Sequence, residues 1–161
     1  MAGKEKRGAE AADADLFRGR PYVLTPGDPK DLESGVAKEF VEWLSQIGAK
    51  VLLLGAEAHD YAVAYSSHLP QLLSTGIACM ISESAPEAAA VAGPGLVDST
   101  RLALSSYELW RDILATNSGP VEEAINAMIG KLEHLRDNLR SREMEHEFQT
   151  AAALAAALRR G

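Results

Sequence analysis

Ser67-His68, followed by Pro70-Gln71, is the first place where this sequence offers chemistry, because it sits inside an otherwise apolar helical stretch. Proline removes a backbone donor and disturbs the preceding turn, and a neighbouring imidazole donates or accepts near neutral pH. The plainer alternative is a helix-surface or hydrogen-bonded core histidine. Arg101, within Asp98-Ser99-Thr100-Arg101-Leu102-Ala103, is the second candidate. A guanidinium clamps a carboxylate through two parallel hydrogen bonds, a geometry that lysine cannot reproduce. Its alternative is an ion pair with Asp98, worth about 0.5 kcal/mol if exposed. Trp110-Arg111-Asp112 follows, with Trp110 reading as a packing residue before a stacking one.

The remaining polar groups point to less. His59-Asp60 reads as a solvated pair in a first helical turn, and His134 and His146 lie among charges on polar faces. No histidines and carboxylates recur at the close helical spacing of a zinc protease, so no metal is expected. Gly93-Pro94-Gly95 lacks the spacing of a phosphate loop, and its proline has no N–H to offer. Cys79 is the single cysteine, which excludes an intramolecular disulfide, and its apolar surroundings suggest a buried structural thiol.

The elements that must position these residues fall into two textures. Residues 1–20 mix charge, glycine and alanine and read as a mobile arm. The run from Arg20 to Pro26, bounded by prolines, suits an edge strand. Asp28-Pro29 with Asp31 is a helix start, and Leu32, Val36, Phe40, Trp43, Leu44 and Ile47 recur at helical spacing until Gly48 stops them. Lys50 to Leu54 reads as a fully buried strand. A strand, a helix and a strand joined by short loops form one crossover of a parallel sheet.

Beyond Gly55 the strand signals end. Residues 57–80 are helical with a kink or break expected near Ser66 to Leu69, ahead of Pro70. Pro86 opens an alanine-rich turn that Gly93-Pro94-Gly95 ends. Ser105 with Glu108 has the pattern of a capping box for a helix to about Leu114. Gly119-Pro120 starts a helix striped by Val121, Ala124, Ile125, Met128, Leu132, Leu135 and Leu139, and a last helix carries Met144, Phe148, Ala151, Ala155 and Leu158. The expected fold class is therefore mainly α: residues 1–55 are a strand-helix-strand remnant of an α/β domain, and residues 56–161 are an all-helical domain.

Composition bounds the partners. With 161 residues, 47% apolar and 24% charged, a real core is affordable. A net charge of -7 argues against nucleic acid, which needs a concentrated basic face. No run approaches the ~18 apolar residues of a membrane helix, and MAGKEKRG lacks the apolar core of a signal peptide, so a cytoplasmic location without membrane contact is expected.

Taken in order, these segments resemble the prephenate and arogenate dehydrogenase family. Met1-Ala2-Gly3-Lys4-Glu5-Lys6 resembles the loop after the family's catalytic His-Pro, and it runs on through Asp15-Leu16-Phe17 and Gly19-Arg20-Pro21-Tyr22. His59-Asp60, Ser67-His68-Leu69-Pro70, Asp98-Ser99-Thr100-Arg101 and Trp110-Arg111-Asp112-Ile113 resemble its helical-domain signatures.

The resemblance implies a Rossmann-type nucleotide-binding domain ahead of a helical dimerisation domain. It implies NAD- or NADP-dependent oxidative decarboxylation of prephenate to 4-hydroxyphenylpyruvate in tyrosine biosynthesis. The residues it assigns to substrate are Arg101, on a carboxylate, with Ser67, His68, Gln71 and Trp110 in the same pocket and Glu5 on a loop that closes over it. A homodimer through the helical domain is also implied.

Three departures stand out. Gln71 occupies the place of a frequent second histidine, which bears on prephenate against arogenate. Val97 replaces a lysine found in some members. Met1 falls just after the position of the catalytic His-Pro. The catalytic histidine and the glycine-rich fold are thus expected upstream, with no catalytic residue in this chain, no cofactor bound by it alone and no turnover. Other readings of the same residues are arogenate dehydrogenase, a non-catalytic dimerisation or regulatory module that binds a small carboxylate, and the helical half of another two-domain dehydrogenase.

Overall fold

The structure, a computed structural model, describes residues 8–160 and divides between Ser66 and Ser67 into two compact units. In the first unit, strands β1 (Pro21–Leu24) and β2 (Lys50–Leu53) pair in parallel, with Tyr22 opposite Val51 and Leu24 opposite Leu53. Helix α1 (Gly35–Gln46) makes the crossover, as the strand-helix-strand reading requires. Asp28 caps the segment ahead of it: its side chain accepts from Lys30 N at 2.9 Å, and Asp31 Oδ2 accepts from Asp28 N at 3.4 Å. What they cap is a 3-10 turn, Pro29–Glu33, so the single helix expected from Leu32 onward comes in two pieces, broken at Ser34–Gly35 where Gly35 has φ 58°.

Gly48 ends α1 with φ 80°, and a Cβ there would meet Arg18 Cγ at 3.2 Å, so only glycine fits this turn. Gly48 O accepts from Gly19 N at 2.7 Å, and Arg20 O accepts from Lys50 N at 2.8 Å. These bonds correct the expectation of a mobile arm as far as residues 8–20 are concerned. They carry turns tied to the start of β2, and Phe17 packs against Tyr22 at 6.3 Å. Residues 1–7, including Glu5, lie outside the described residues.

Leu44, 1% exposed, is the largest fully buried side chain of this unit, and burying it contributes about 2 kcal/mol. Beyond it the apolar face is only half covered: Phe40 stacks on Trp43 at 6.3 Å, yet Trp43 is 54% exposed and Val36 81%. The fully buried reading of β2 is likewise corrected, since Leu52 and Leu53 are both about half exposed. A short parallel pair needs a layer on each face to bury its side chains, and among the described residues α1 is the element that packs on β2. Helix α2 (Ala56–Val63) is the last α-helix of this unit.

The second unit is helical. It opens on α3 (Leu69–Ser84), which a π-helical turn, Ala64–His68, precedes. That turn is the disturbance that Pro70 predicts: the ring cannot donate and would crowd the carbonyl four residues back, and a widened turn relieves both. Then come α4 (Pro94–Thr100), a 3-10 turn over Arg101–Leu104, α5 (Tyr107–Thr116), α6 (Ser118–Asp137) and α7 (Glu143–Leu158). The glycine-rich Gly93-Pro94-Gly95 thus starts a helix that periodicity did not reveal, because seven residues are too few to display a stripe.

Residue Ser106, not Ser105, precedes α5, and no side chain caps it, so the expected box with Glu108 does not form. The Cys79 thiol is exposed, against the expectation of burial. The inward face of α3 is taken by Leu69, Gln71 and Ser74, and an unbroken apolar run does not say which of its members face in.

Only Val121 and Ala124 of the α6 stripe are buried, and α7 buries no residue. Phe148, Leu154 and Leu158 are each more than 60% exposed. Polar contacts tie α7 to α6. Glu147 receives Lys131 Nζ at 2.9 Å and lies 3.3 Å from His134 Nε2.

Candidate functional site

The candidate site grows from the start of α3. Ser67 is half-buried and His68 buried, at the end of the π-helical turn. Asn117 Nδ2 lies 3.2 Å from His68 Nδ1, and the Trp110 ring meets the imidazole edge-on with centroids 5.8 Å apart. Asn117 occupies the junction of α5 and α6, where a side chain would ordinarily cap the new helix; here it makes no cap bond and turns inward to the histidine. An amide and an aromatic edge together orient the imidazole.

One turn further along α3, Gln71 is 6% exposed and Ser74 2%. Gln71 Nε2 donates to Leu102 O at 2.8 Å, and Ser74 Oγ accepts from Ala103 N at 3.1 Å. The turn that begins at Arg101 is therefore bonded to α3 at two successive residues. Arg101 is exposed at the head of that turn. Thr100, just before it, hydrogen-bonds back to Leu96 O at 2.9 Å and finishes α4.

A groove of about 150 Å³ opens beside these residues, lined by Gln71, Thr75, Ser105, Ser106, Tyr107 and Trp110 among others. Its size is below the ~300 Å³ at which a pocket encloses a drug-sized ligand by itself. The indole Nε1 of Trp110 is buried and has no hydrogen-bond partner among the described residues. Buried indole N–H groups ordinarily find an acceptor, so this donor is available to one.

Of the residues singled out from sequence, the structure thus brings His68, Gln71, Trp110 and the turn of Arg101 around the first turns of α3, with Ser67 beside His68. Glu5 lies outside the described residues. Arg111 bonds its neighbour Asp112 at 2.8 Å on the surface, and that bond raises the guanidinium pKa further. His59 pairs with Asp60 at 2.9 Å, half-exposed in the first unit as expected. Sequence reasoning passed over Asn117 and Ser74. Ser74 had a signal, since it follows Gln71 at a three-residue step on the face of His68, whereas Asn117 had none beyond its place between two helices.

Among the described residues no group of three His, Cys, Asp or Glu side chains stands ready for a metal. Nor do the described residues form a dinucleotide cradle. The turns after β1 and β2 read Thr25-Pro26-Gly27-Asp28-Pro29 and Leu54-Gly55-Ala56, with single glycines and prolines in place of a row of N–H donors. These residues do not fit a nicotinamide nucleotide. No helix of the described residues is long and apolar enough to cross a membrane.

In chain order a helical unit follows a parallel strand-helix-strand crossover, and within the helical unit His68 and the turn that begins at Arg101 both meet the first turns of α3. The chain belongs to the prephenate dehydrogenase family: the family's model described as "Prephenate dehydrogenase, dimerization domain" matches residues 55–154. The cyclohexadienyl dehydrogenase of Zymomonas mobilis is 29% identical over 150 residues, covering 91% of this chain and 50% of that protein. Prephenate dehydrogenase of Bacillus subtilis is 28% identical over 152 residues, covering 92% of this chain and 40% of that protein.

Among solved structures, Aquifex aeolicus prephenate dehydrogenase in complex with hydroxyphenyl propionate and NAD+ is similar with a TM-score of 0.76 and 31% identity, covering 99% of this chain and 56% of that one. Synechocystis arogenate dehydrogenase gives 0.77 and 26%, covering 98% of this chain and 59% of that one. The chain spans about half or less of the length of the curated relatives it matches.

Proposed function

We propose that this chain is the substrate-recognition and dimerisation part of a prephenate dehydrogenase acting in tyrosine biosynthesis. Residues 56–161 form the helical domain, and residues 1–55 are the tail of the nucleotide-binding domain. The observation that carries the reading is the convergence of Ser67-His68-Leu69-Pro70, Trp110 and the Arg101 turn within the region that matches the family.

In this reading Arg101 clamps a carboxylate of the substrate by a paired, charge-assisted contact. His68, oriented by Asn117 and Trp110, and Ser67 offer hydrogen bonds to its polar groups, and the buried Trp110 N–H supplies a further donor. Bound elsewhere in the complete enzyme, NAD or NADP supplies the hydride acceptor; the residues described here bind, orient and exclude water. Hydride would leave the ring carbon that bears the hydroxyl while the ring carboxylate departs as carbon dioxide, with aromatisation driving the reaction. Such an enzyme is cytoplasmic and works as a homodimer through its helices, without nucleic acid or membrane as partner.

The experiment is direct. An enzyme that joins these residues to an upstream nucleotide-binding domain is assayed for reduced-cofactor formation with prephenate and with arogenate, beside the chain alone. Turnover of prephenate by the joined enzyme and none by the chain is expected. Preference for arogenate would reassign the substrate, and binding of a small carboxylate without turnover in the joined enzyme would leave a non-catalytic module.

A further inference from the structure

We propose that Gln71 and Ser74 are positioning residues for Arg101, holding from α3 the short turn that carries the arginine. The proposal rests on the carboxylate reading of Arg101 given above.

A 3-10 turn such as Arg101–Leu104 has few internal bonds and poorer hydrogen-bond geometry than an α-helix, so its conformation depends on outside ties. Two ties are present, and they act on adjacent residues with opposite polarity. Gln71 supplies a donor to the Leu102 carbonyl at 2.8 Å, and Ser74 supplies an acceptor to the Ala103 amide at 3.1 Å. The direction of the amide is dictated by its partner, because a carbonyl oxygen only accepts.

Leu102 O also receives Ser105 N at 3.0 Å, which closes the turn on itself, and the other proton of the Gln71 amide reaches Thr75 Oγ1 at 3.4 Å. Both ties are part-buried and both side chains that make them are buried, Gln71 being 6% exposed and Ser74 2%, so water replaces either bond only at a cost. A paired guanidinium–carboxylate contact tolerates little error in where the arginine backbone starts. Gln71 therefore acts through the turn, and the amide of a glutamine suits the task because it reaches a carbonyl with an N–H at any pH. Ser74 was singled out by neither motif nor composition, yet it makes the second half of the grip.

The test uses the chain as it is, with hydroxyphenyl propionate as the carboxylate probe. Gln71→Leu and Ser74→Ala are each compared with the parent and with Arg101→Ala, singly and combined, by titration and by amide hydrogen exchange. Each tie is expected to be worth about tenfold in probe affinity. The amides of Ala103 and Ser105 should exchange faster in both single variants, and Ser74→Thr, which keeps the hydroxyl, should restore both readouts to Ser74→Ala.

In the Arg101→Ala background neither substitution should cost further affinity, since a residue that acts through the arginine has nothing left to position. An equal loss in that background would mean that Gln71 or Ser74 meets the ligand itself and would overturn the proposal. Unchanged exchange at Ala103 and Ser105 would overturn it while leaving the carboxylate reading intact. Parent-like affinity in Arg101→Ala, or no binding by the parent, would remove the carboxylate reading and the positioning role with it.

Discussion

Asn117 Nδ2 lies 3.2 Å from His68 Nδ1, and both residues are more than nine-tenths buried. With the amide nitrogen facing the ring, Nδ1 accepts, which places the proton of a neutral imidazole on Nε2. The expected result is an Nε2–H tautomer in the long-range proton–nitrogen spectrum of the His68 ring. A signal from the Nδ1–H tautomer would show that the amide is turned the other way. Asn117→Ala should remove this bond to the buried imidazole and destabilise the chain by about 1–3 kcal/mol, measured by denaturant unfolding.

Arg101→Lys separates a clamp from a surface ion pair. A lysine keeps the charge and loses the paired bonds, which are worth roughly 1.5–3 kcal/mol, so substrate affinity in the enzyme joined to its nucleotide-binding domain should fall tenfold or more. The melting temperature should hardly move, because Arg101 is exposed. Unchanged affinity would leave the pocket to His68 and Trp110.

Attachment of α7 to α6 should weaken in acid. The hydrogen bond from Lys131, aided by the charges of Lys131, His134 and His146, holds the Glu147 carboxyl below its usual range. A carboxyl with a lowered folded-state pKa stabilises the fold above its unfolded value of about 4.3, and that contribution is lost as pH falls through the lower folded value. Glu147→Gln should therefore melt earlier than the parent near neutral pH, with the gap closing below about pH 4. A gap that stays constant down to acid pH would show that the ion pair contributes nothing. Lys131→Met should follow the same course.

The exposed apolar side chains of α7 call for cover. Phe148, Leu154 and Leu158 are 70%, 63% and 74% exposed, more than isolated surface residues explain. Light scattering at micromolar concentration should report a dimer, and Phe148→Glu with Leu154→Glu should shift it toward monomer. A monomeric parent would exclude the dimer.

Much of this protein was legible from residue order alone, because local rules decide local features. Gly48 stops α1, Asp28 with Asp31 caps the segment before it, and Pro70 forces the disturbance at Ala64–His68, each through backbone geometry or bonds within a few residues. The family signatures around Ser67-His68 and Arg101 were likewise visible as strings. Partners far along the chain were decided by tertiary structure: Asn117 for His68, Leu102 O for Gln71, and Ala103 N for Ser74. Burial was decided there too. Cys79, Leu52 and Leu53 belong to apolar runs, yet all three are exposed, since a run without period names no inward face and only the packed neighbours choose one.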